Sequence, residues 1–466
     1  MLLAPQGGRA ARIRSSLRNS TALRNNSVLK NTGAPQKLPT PANEPSVAEI
    51  LRAEASCADI TQAGLTAPKR QRRRARADLA VVPPEPSDRG IVTPRIAEFL
   101  DRIQPQTPCL VMDLEVVEGN YRGLAAALDP AELFYAVKAN PAPEILRLLA
   151  RSNGRFDVAS RGEIDQCLDV GIPADRLSFG NPIKKQSDIA YAFGRGVRLF
   201  AFDSEGELEK LAVAAPGATV FCRLLVDGAG AEWPLSRKFG CSFAMAKALL
   251  LRARALGLDA AGVSFHIGSQ QTDLSQWDKV LDQIAALYGE LAAAGLKPTL
   301  LNLGGGFPAR YQKEVPSIGD YGRAVVAAVR RHFPEMPRLI AEPGRGLVGE
   351  AGVIESEVVL VSVKDAADPV RWVYLDIGKF SGLAETMEEA IKYRLKTPHD
   401  GGATGPVVLA GPSCDSADIL YEKTAYELPL ALKPGDKIRI LACGAYTTTY
   451  SSVGFNGFAP LKAYCI

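Results

Sequence analysis

Histidine is scarce in this chain: there are 3 in 466 residues. They show no paired spacing, so a metal centre built on imidazoles is not expected. The 8 cysteines, at 57, 109, 167, 222, 241, 414, 443 and 465, form no Cys-x-x-Cys pair and no metal-type spacing. In a chain of this length such scatter points to reduced thiols and away from a disulfide framework. No apolar run reaches the roughly 18 residues a membrane span needs. No charged start, apolar stretch and small-residue cleavage site marks a signal peptide. Together these absences predict a cytoplasmic protein with no membrane partner.

What is present is an ordinary globular balance, 47% hydrophobic and 23% charged, long enough for one large barrel plus a smaller domain. The net charge of +4 is unevenly spread: residues 1–80 carry a net +9 and the remainder a net −5. Residues 1–90 are rich in Arg, Ser, Asn, Ala and Pro and poor in aromatics. Such a segment cannot bury enough apolar surface to offset its ordering entropy, so a disordered basic extension is expected there. The first 43 residues contain no acid, the composition of an organellar transit peptide. The Lys69-Arg70-Gln71-Arg72-Arg73-Arg74-Ala75-Arg76 run could touch nucleic acid. A solvated tail, or a start codon read too far upstream, is the plainer reading and the one preferred. No nucleic-acid partner is expected of the acidic body.

From about residue 107 short apolar runs of strand length alternate with stretches of helical periodicity. Eight strands are expected, at 132–137, 155–159, 177–179, 197–202, 219–226, 262–267, 300–303 and 339–341. Between them helices are expected at 143–150, 161–170, 205–214, 244–256, 274–294 and 319–332. That alternation predicts a (β/α)8 barrel over 107–345. Beyond it the pattern turns β-rich, at 353–363, 371–376, 406–410 and 437–442, predicting an all-β domain over 346–466. A strand from about 107–114 is expected to join that second domain.

A barrel places its chemistry at the C-terminal ends of its strands. Polar residues do fall there: Lys138, Asp157, Asn181, Asp203, Arg223, His266, Gly304-Gly305-Gly306 and Glu342-Pro343-Gly344-Arg345. A triple glycine leaves backbone N–H groups unobstructed to cradle a phosphate, and Arg345 adds a permanently charged planar donor. The apolar flanks of Lys138 argue for a desolvated amine of lowered pKa, hence a nucleophile; an ordinary strand-end lysine snorkelling to solvent is the alternative of equal weight.

These motifs resemble the fold-type III pyridoxal-phosphate decarboxylases of the ornithine decarboxylase group, from about Thr107 to the C-terminus. In the first part they are Tyr-Ala-Val-Lys-Ala-Asn (135–140), Phe-Asp-Val-Ala-Ser (156–160), Ser-Phe-His-Ile-Gly-Ser (264–269), Gly-Gly-Gly-Phe-Pro (304–308) and Glu-Pro-Gly-Arg (342–345). In the second they are Gly-Pro-Ser-Cys-Asp-Ser-Ala-Asp (411–418), Gly-Ala-Tyr-Thr (444–447) and Phe-Asn-Gly-Phe (455–458). The resemblance implies that Lys138 holds pyridoxal 5'-phosphate as a Schiff base, that His266 stacks on its ring and that Glu342 pairs with the ring nitrogen. It implies that Gly305, Gly306, Arg345, Ser269 and Tyr446 hold the phosphate, with Asp157 and Arg223 buttressing the cofactor. It further implies a homodimer with shared sites, Cys414 and Asp415 reaching in from the partner. Cys414 would return a proton to the substrate, Asp376 and Asp415 would bind its distal amine, and Phe455 would line the pocket.

Glu342 argues against an alanine racemase, which lacks a carboxylate at the ring nitrogen. Asp415 stands where diaminopimelate decarboxylases usually have Glu, which favours a substrate ending in an amine. A non-catalytic regulator of the same fold would be expected to have lost cofactor residues that are all retained here. The segment 376–387 looks like the bacterial branch, which includes dual ornithine/lysine decarboxylases. L-ornithine to putrescine is the expected reaction, with L-lysine to cadaverine as rival.

Overall fold

The computed structural model describes residues 92–233 and 237–466; the expectations for residues 1–90 fall outside them. Thr93 caps α1 (Pro94–Ile103), its hydroxyl accepting from the Ile96 amide at 3.2 Å. β1 (Cys109–Met112) leads into α2 (Leu114–Ala127), which Asp113 caps. The alternation then runs β2 (Glu132–Ala136), α3 (Pro143–Arg151), β3 (Arg155–Val158), α4 (Arg161–Asp169), β4 (Leu177–Phe179) and α5 (Gln186–Gly194). It continues through β5 (Leu199–Phe202), α6 (Glu205–Ala214), β6 (Thr219–Arg223), β7 (Ala231–Trp233), α7 (Phe243–Ala255) and β8 (Asp259–Ser264). β9 (Ser269–Gln271), α8 (Ser275–Ala293), β10 (Leu300–Asn302), α9 (Ile318–His332) and β11 (Arg338–Ala341) complete it.

β2, β3, β4, β5, β6, β8, β10 and β11 close into a barrel, and every neighbouring pair is parallel. These are the eight strands the sequence predicts. Parallel strands are covered on both faces, which is why they read as unbroken apolar runs. Phe134, Leu199, Ala201, Phe221, Ala261, Leu300 and Ile340 form a cluster of their own, drawn from six of the barrel strands. These side chains fill the barrel interior, each large one contributing about 1.5–3 kcal/mol on burial. A filled interior leaves only the barrel's mouth for chemistry.

Only the strand at 177–179 keeps both expected ends; most of the others shift by one to three residues, and two of these shifts bear on the site. β8 begins at Asp259 and ends at Ser264, so Phe265, His266 and Ile267 lie on the loop and not in the strand. Gly262 lies inside β8 because the Leu300 carbonyl would be 1.9 Å from any Cβ there, a close approach that weakens the strand signal in sequence. β2 ends at Ala136, and Val137–Ala139 form a 3-10 turn. Lys138 therefore sits on that turn, two residues beyond the strand. The small sheet of β7 with β9 was not foreseen.

After β11 the chain enters the second sheet: β12 (Gly352–Val363), β13 (Arg371–Leu375), β14 (Leu395–Lys396), β15 (Thr404–Ala410), β16 (Ile419–Pro429), β17 (Lys437–Leu441) and β18 (Lys462–Cys465). Its order is β14-β17-β12-β13-β15-β16, and β1 pairs with β12 and β18 at one side. A strand ahead of the barrel thus belongs to this sheet.

Candidate active site

The turn after β2 points Lys138 at β3. Its Nζ lies 3.3 Å from Asp157 Oδ2. Asp157 is 3% exposed, and its Oδ1 has no hydrogen-bond partner. Room for that carboxylate comes from Gly180, just past β4: a Cβ there would sit 2.0 Å from Asp157 Oδ1. The apolar flanks of Lys138 predict a depressed amine, and the geometry corrects this. Withdrawal from water does disfavour the ammonium, but Asp157, with Tyr446 and Glu342 behind it, outweighs that and holds Lys138 above the ordinary lysine range.

Glu342 follows β11. Burial, reinforced by the Asp157 charge, pushes its carboxyl up to about 7. Asn302, at the end of β10, donates from Nδ2 to Glu342 Oε1 at 2.6 Å, while its Oδ1 accepts from the Gly304 amide at 2.9 Å. One buried amide thus ties the carboxylate to the glycine loop. His266 is pushed down to about 3 by burial and by the cations Arg223 and Lys138, so it is neutral at pH 7. Its Nδ1 accepts from the Gly268 amide at 3.1 Å. Arg223 ends β6, and its guanidinium lies 5.3 Å from the centre of the Phe239 ring.

On the far side lie the glycines. Gly306 has φ 99°, and a Cβ there would meet the Gly268 carbonyl at 2.6 Å. The amides of Gly305 and Gly306 donate to nothing in the described chain. Arg345 is buried, with Ser269 Oγ 3.2 Å from its Nη2. Tyr446 arrives from the second sheet on a loop stitched to the lysine turn: its amide donates to the Ala139 carbonyl at 2.8 Å, Asn140 Nδ2 to the Gly444 carbonyl at 2.9 Å, and Thr449 Oγ1 to the Lys138 carbonyl at 3.0 Å. Tyr446 has φ 61°, a left-handed conformation that costs about 1–3 kcal/mol and persists where its surroundings enforce it.

Lys138, His266, Ser269, Gly305, Gly306, Glu342, Arg345 and Tyr446 line one cavity of about 340 Å³, its open mouth included. The remaining expected residues are elsewhere within the chain. Cys414 is exposed, its Sγ 3.7 Å from Asn456 Oδ1. Asp415 is also exposed, its Oδ1 accepting from the Ala417 amide at 2.8 Å. Phe455 packs on Phe380, ring centres 4.7 Å apart. Asp376 accepts from Ser356 Oγ at 2.7 Å and from the Glu357 amide at 3.0 Å. None of these four lines the Lys138 cavity.

The family model for the pyridoxal-dependent decarboxylase, pyridoxal binding domain, matches residues 114–349. The chain belongs to the pyridoxal-dependent decarboxylases. It is 35% identical to the lysine/ornithine decarboxylase of Selenomonas ruminantium over 353 residues, covering 76% of this chain and 88% of that protein. It is also 32% identical to antizyme inhibitor 2 of Xenopus laevis over 362 residues, 75% of this chain and 78% of that one. Among solved structures, SrLDC in complex with PLP and cadaverine superposes with a TM-score of 0.73 at 32% identity, covering 82% of this chain and 95% of that chain.

Pyridoxal phosphate is accordingly the cofactor of this decarboxylase, and the cavity suits it. The two glycine amides without acceptors, which line it beside Arg345, are donors that a phosphate would satisfy. Reading the sequence alone misses Gly180 and Asn302, and also Tyr311 and Glu385, which both accept hydrogen bonds from the Arg345 guanidinium. Asn302 did carry a signal, as a polar residue inside an apolar strand run. Gly180 and Glu385 carried none, because their roles depend on contacts across the fold.

Proposed function

We propose that this decarboxylase converts L-ornithine to putrescine and carbon dioxide, with L-lysine to cadaverine as a side or rival activity. The observation that carries the reading is the single cavity gathering Lys138, His266, Glu342 and the Ser269, Gly305, Gly306, Arg345 and Tyr446 cradle. Pyridoxal phosphate, when bound, supplies an electron sink for the pair left at Cα as carbon dioxide departs. In this reading Lys138 Nζ fastens the cofactor and Asp157 steers that amine. His266, being neutral, offers an uncharged face to the ring. Glu342 holds a proton at the ring nitrogen, since a carboxylate beside a cation favours the charged form. Gly305, Gly306, Ser269, Arg345 and Tyr446 seat the phosphate, and Arg223 closes the polar wall.

Cys414 is assigned the return of a proton to Cα, and Asp376 and Asp415 the terminal ammonium of the substrate. Cys414 and Asp415 are exposed, Cys414 against Asn456, and the half-exposed Phe455 and Phe458 line a surface pocket with Ser413, an apolar spot with acid nearby. Such a patch marks an interaction surface. A homodimer in which each copy lends this patch to the other's Lys138 cavity would bring the two halves of the chemistry together. We assign the enzyme to the cytoplasm; no described helix is long and apolar enough to cross a membrane.

A regulatory role, suggested by the similarity to antizyme inhibitor 2, is opposed by the retention of Lys138, Asp157, Glu342 and Cys414. The test is carbon dioxide release by the purified protein with pyridoxal phosphate on ornithine, lysine, arginine and diaminopimelate. Ornithine is expected to be turned over fastest, and release from none of the four overturns the proposal. Lysine as a rival follows from the small selectivity of one methylene, about 1–3 kcal/mol in an apolar pocket.

A further inference from the structure

Arg345 is not a free cation. Its Nη1 reaches Tyr311 Oη at 2.7 Å and Glu385 Oε2 at 2.8 Å; its Nη2 reaches Ser269 Oγ at 3.2 Å and Glu385 Oε1 at 2.6 Å. A guanidinium has five N–H donors in a fixed fork, and these four contacts occupy the four on Nη1 and Nη2. Only Nε–H is left, and it is buried with no partner. The side chains of Arg345 and Glu385 are 3% and 9% exposed, and the Tyr446 ring packs 5.0 Å from the guanidinium. A bidentate pair this deeply buried is electrically close to neutral, and its attraction is undiluted by water.

We propose that Glu385 is a positioning residue that fixes the Arg345 fork and cancels its charge. It thereby sets how strongly this end of the cavity holds a phosphate dianion. The unpaired amides of Gly305 and Gly306, with Ser269 and Tyr446, then carry the anion as neutral donors, beside an Arg345 that brings little net charge. Glu385 lies in the segment Ala384–Glu389, whose backbone is pinned by the Ile391 amide on the Glu385 carbonyl at 3.0 Å. The carboxylate is therefore held in place independently of any ligand.

This inference rests on reading the cavity as the phosphate seat, and the experiment separates the two. Inorganic phosphate is titrated into cofactor-free protein, and its affinity is read from competition with pyridoxal phosphate rebinding. In the wild type, failure of phosphate to compete overturns both readings. Given competition, Glu385→Gln uncovers the arginine charge and is expected to tighten inorganic phosphate about tenfold. Glu385→Asp keeps the charge and is expected to stay within about threefold of wild type. A merely structural role for Glu385 predicts weaker phosphate binding in Glu385→Gln, because a loosened cradle holds less well. Unchanged or weaker binding in folded Glu385→Gln overturns the proposal. If that variant does not fold, the double variant Arg345→Gln/Glu385→Gln removes both charges together. It is expected to lose no more than about tenfold in phosphate affinity, and a loss of a hundredfold or more overturns the proposal by showing that the arginine acts as an uncancelled cation.

Discussion

Replacing Glu342 by Gln should stabilise the cofactor-free protein at neutral pH while removing its activity. Burial and the Asp157 charge push the Glu342 carboxyl from its ordinary 4.5 to about 7. A group whose pKa is higher folded than unfolded binds more protons in the native state between those values, so native stability falls as pH rises through that window. The displacement corresponds to about 3 kcal/mol. Glutamine keeps an oxygen to accept the Asn302 bond but removes an anion that faces Lys138, which returns part of the gain. The expected net stabilisation is about 2 kcal/mol at pH 8 and close to zero at pH 4. Urea unfolding of both cofactor-free proteins across that range measures it, and pH effects from other carboxylates cancel in the difference. A variant no more stable than wild type at pH 8, or equally stabilised at every pH, refutes the reasoning.

Gly180→Ala drives a methyl to within 2.0 Å of Asp157 Oδ1; it should displace that carboxylate from Lys138 and weaken cofactor binding at least about tenfold, measured by equilibrium titration. Glu389 accepts from the amides of Glu422, Lys423 and Thr424, which hold its carboxyl down at about 2. Its stabilisation is full above the unfolded value near 4.5 and is lost as pH falls through 2, so Glu389→Gln should cost about 2 kcal/mol at pH 7 and little at pH 2, read by chemical denaturation. Cys414→Ala should slow or misdirect protonation while cofactor affinity holds, and an unchanged product profile would reassign that thiol to packing.

Much of the barrel was legible because each strand is an apolar run bounded by turns, and covered parallel strands have no polar face to confuse the pattern. Helix α5 was missed because Ile189 and Ala192 are its only buried residues, too few to set a period. Strand β16 was missed because Glu422, Lys423 and Thr424 interrupt it, and only Glu389, some 33 residues away, explains their tolerance. At the site, motif residues such as Gly305, Glu342 and Tyr446 announce themselves by position. Lys138's charge state was misjudged because local apolar flanks say nothing of a carboxylate arriving from the next strand. Glu385 was silent for a similar reason, since a long-range ion pair leaves no local period.

The loop carrying Tyr446 binds the lysine turn at Lys138, Ala139 and Asn140 through three hydrogen bonds. The reactive amine is therefore braced from outside the barrel that presents it. A recombinant chimera that grafts this barrel onto a foreign sheet would inherit the strands but not the brace. Transplanting residues 442–449 with the barrel is then the minimal cut that preserves a working lysine, and the same stitch limits how freely the two halves of the gene can diverge from each other.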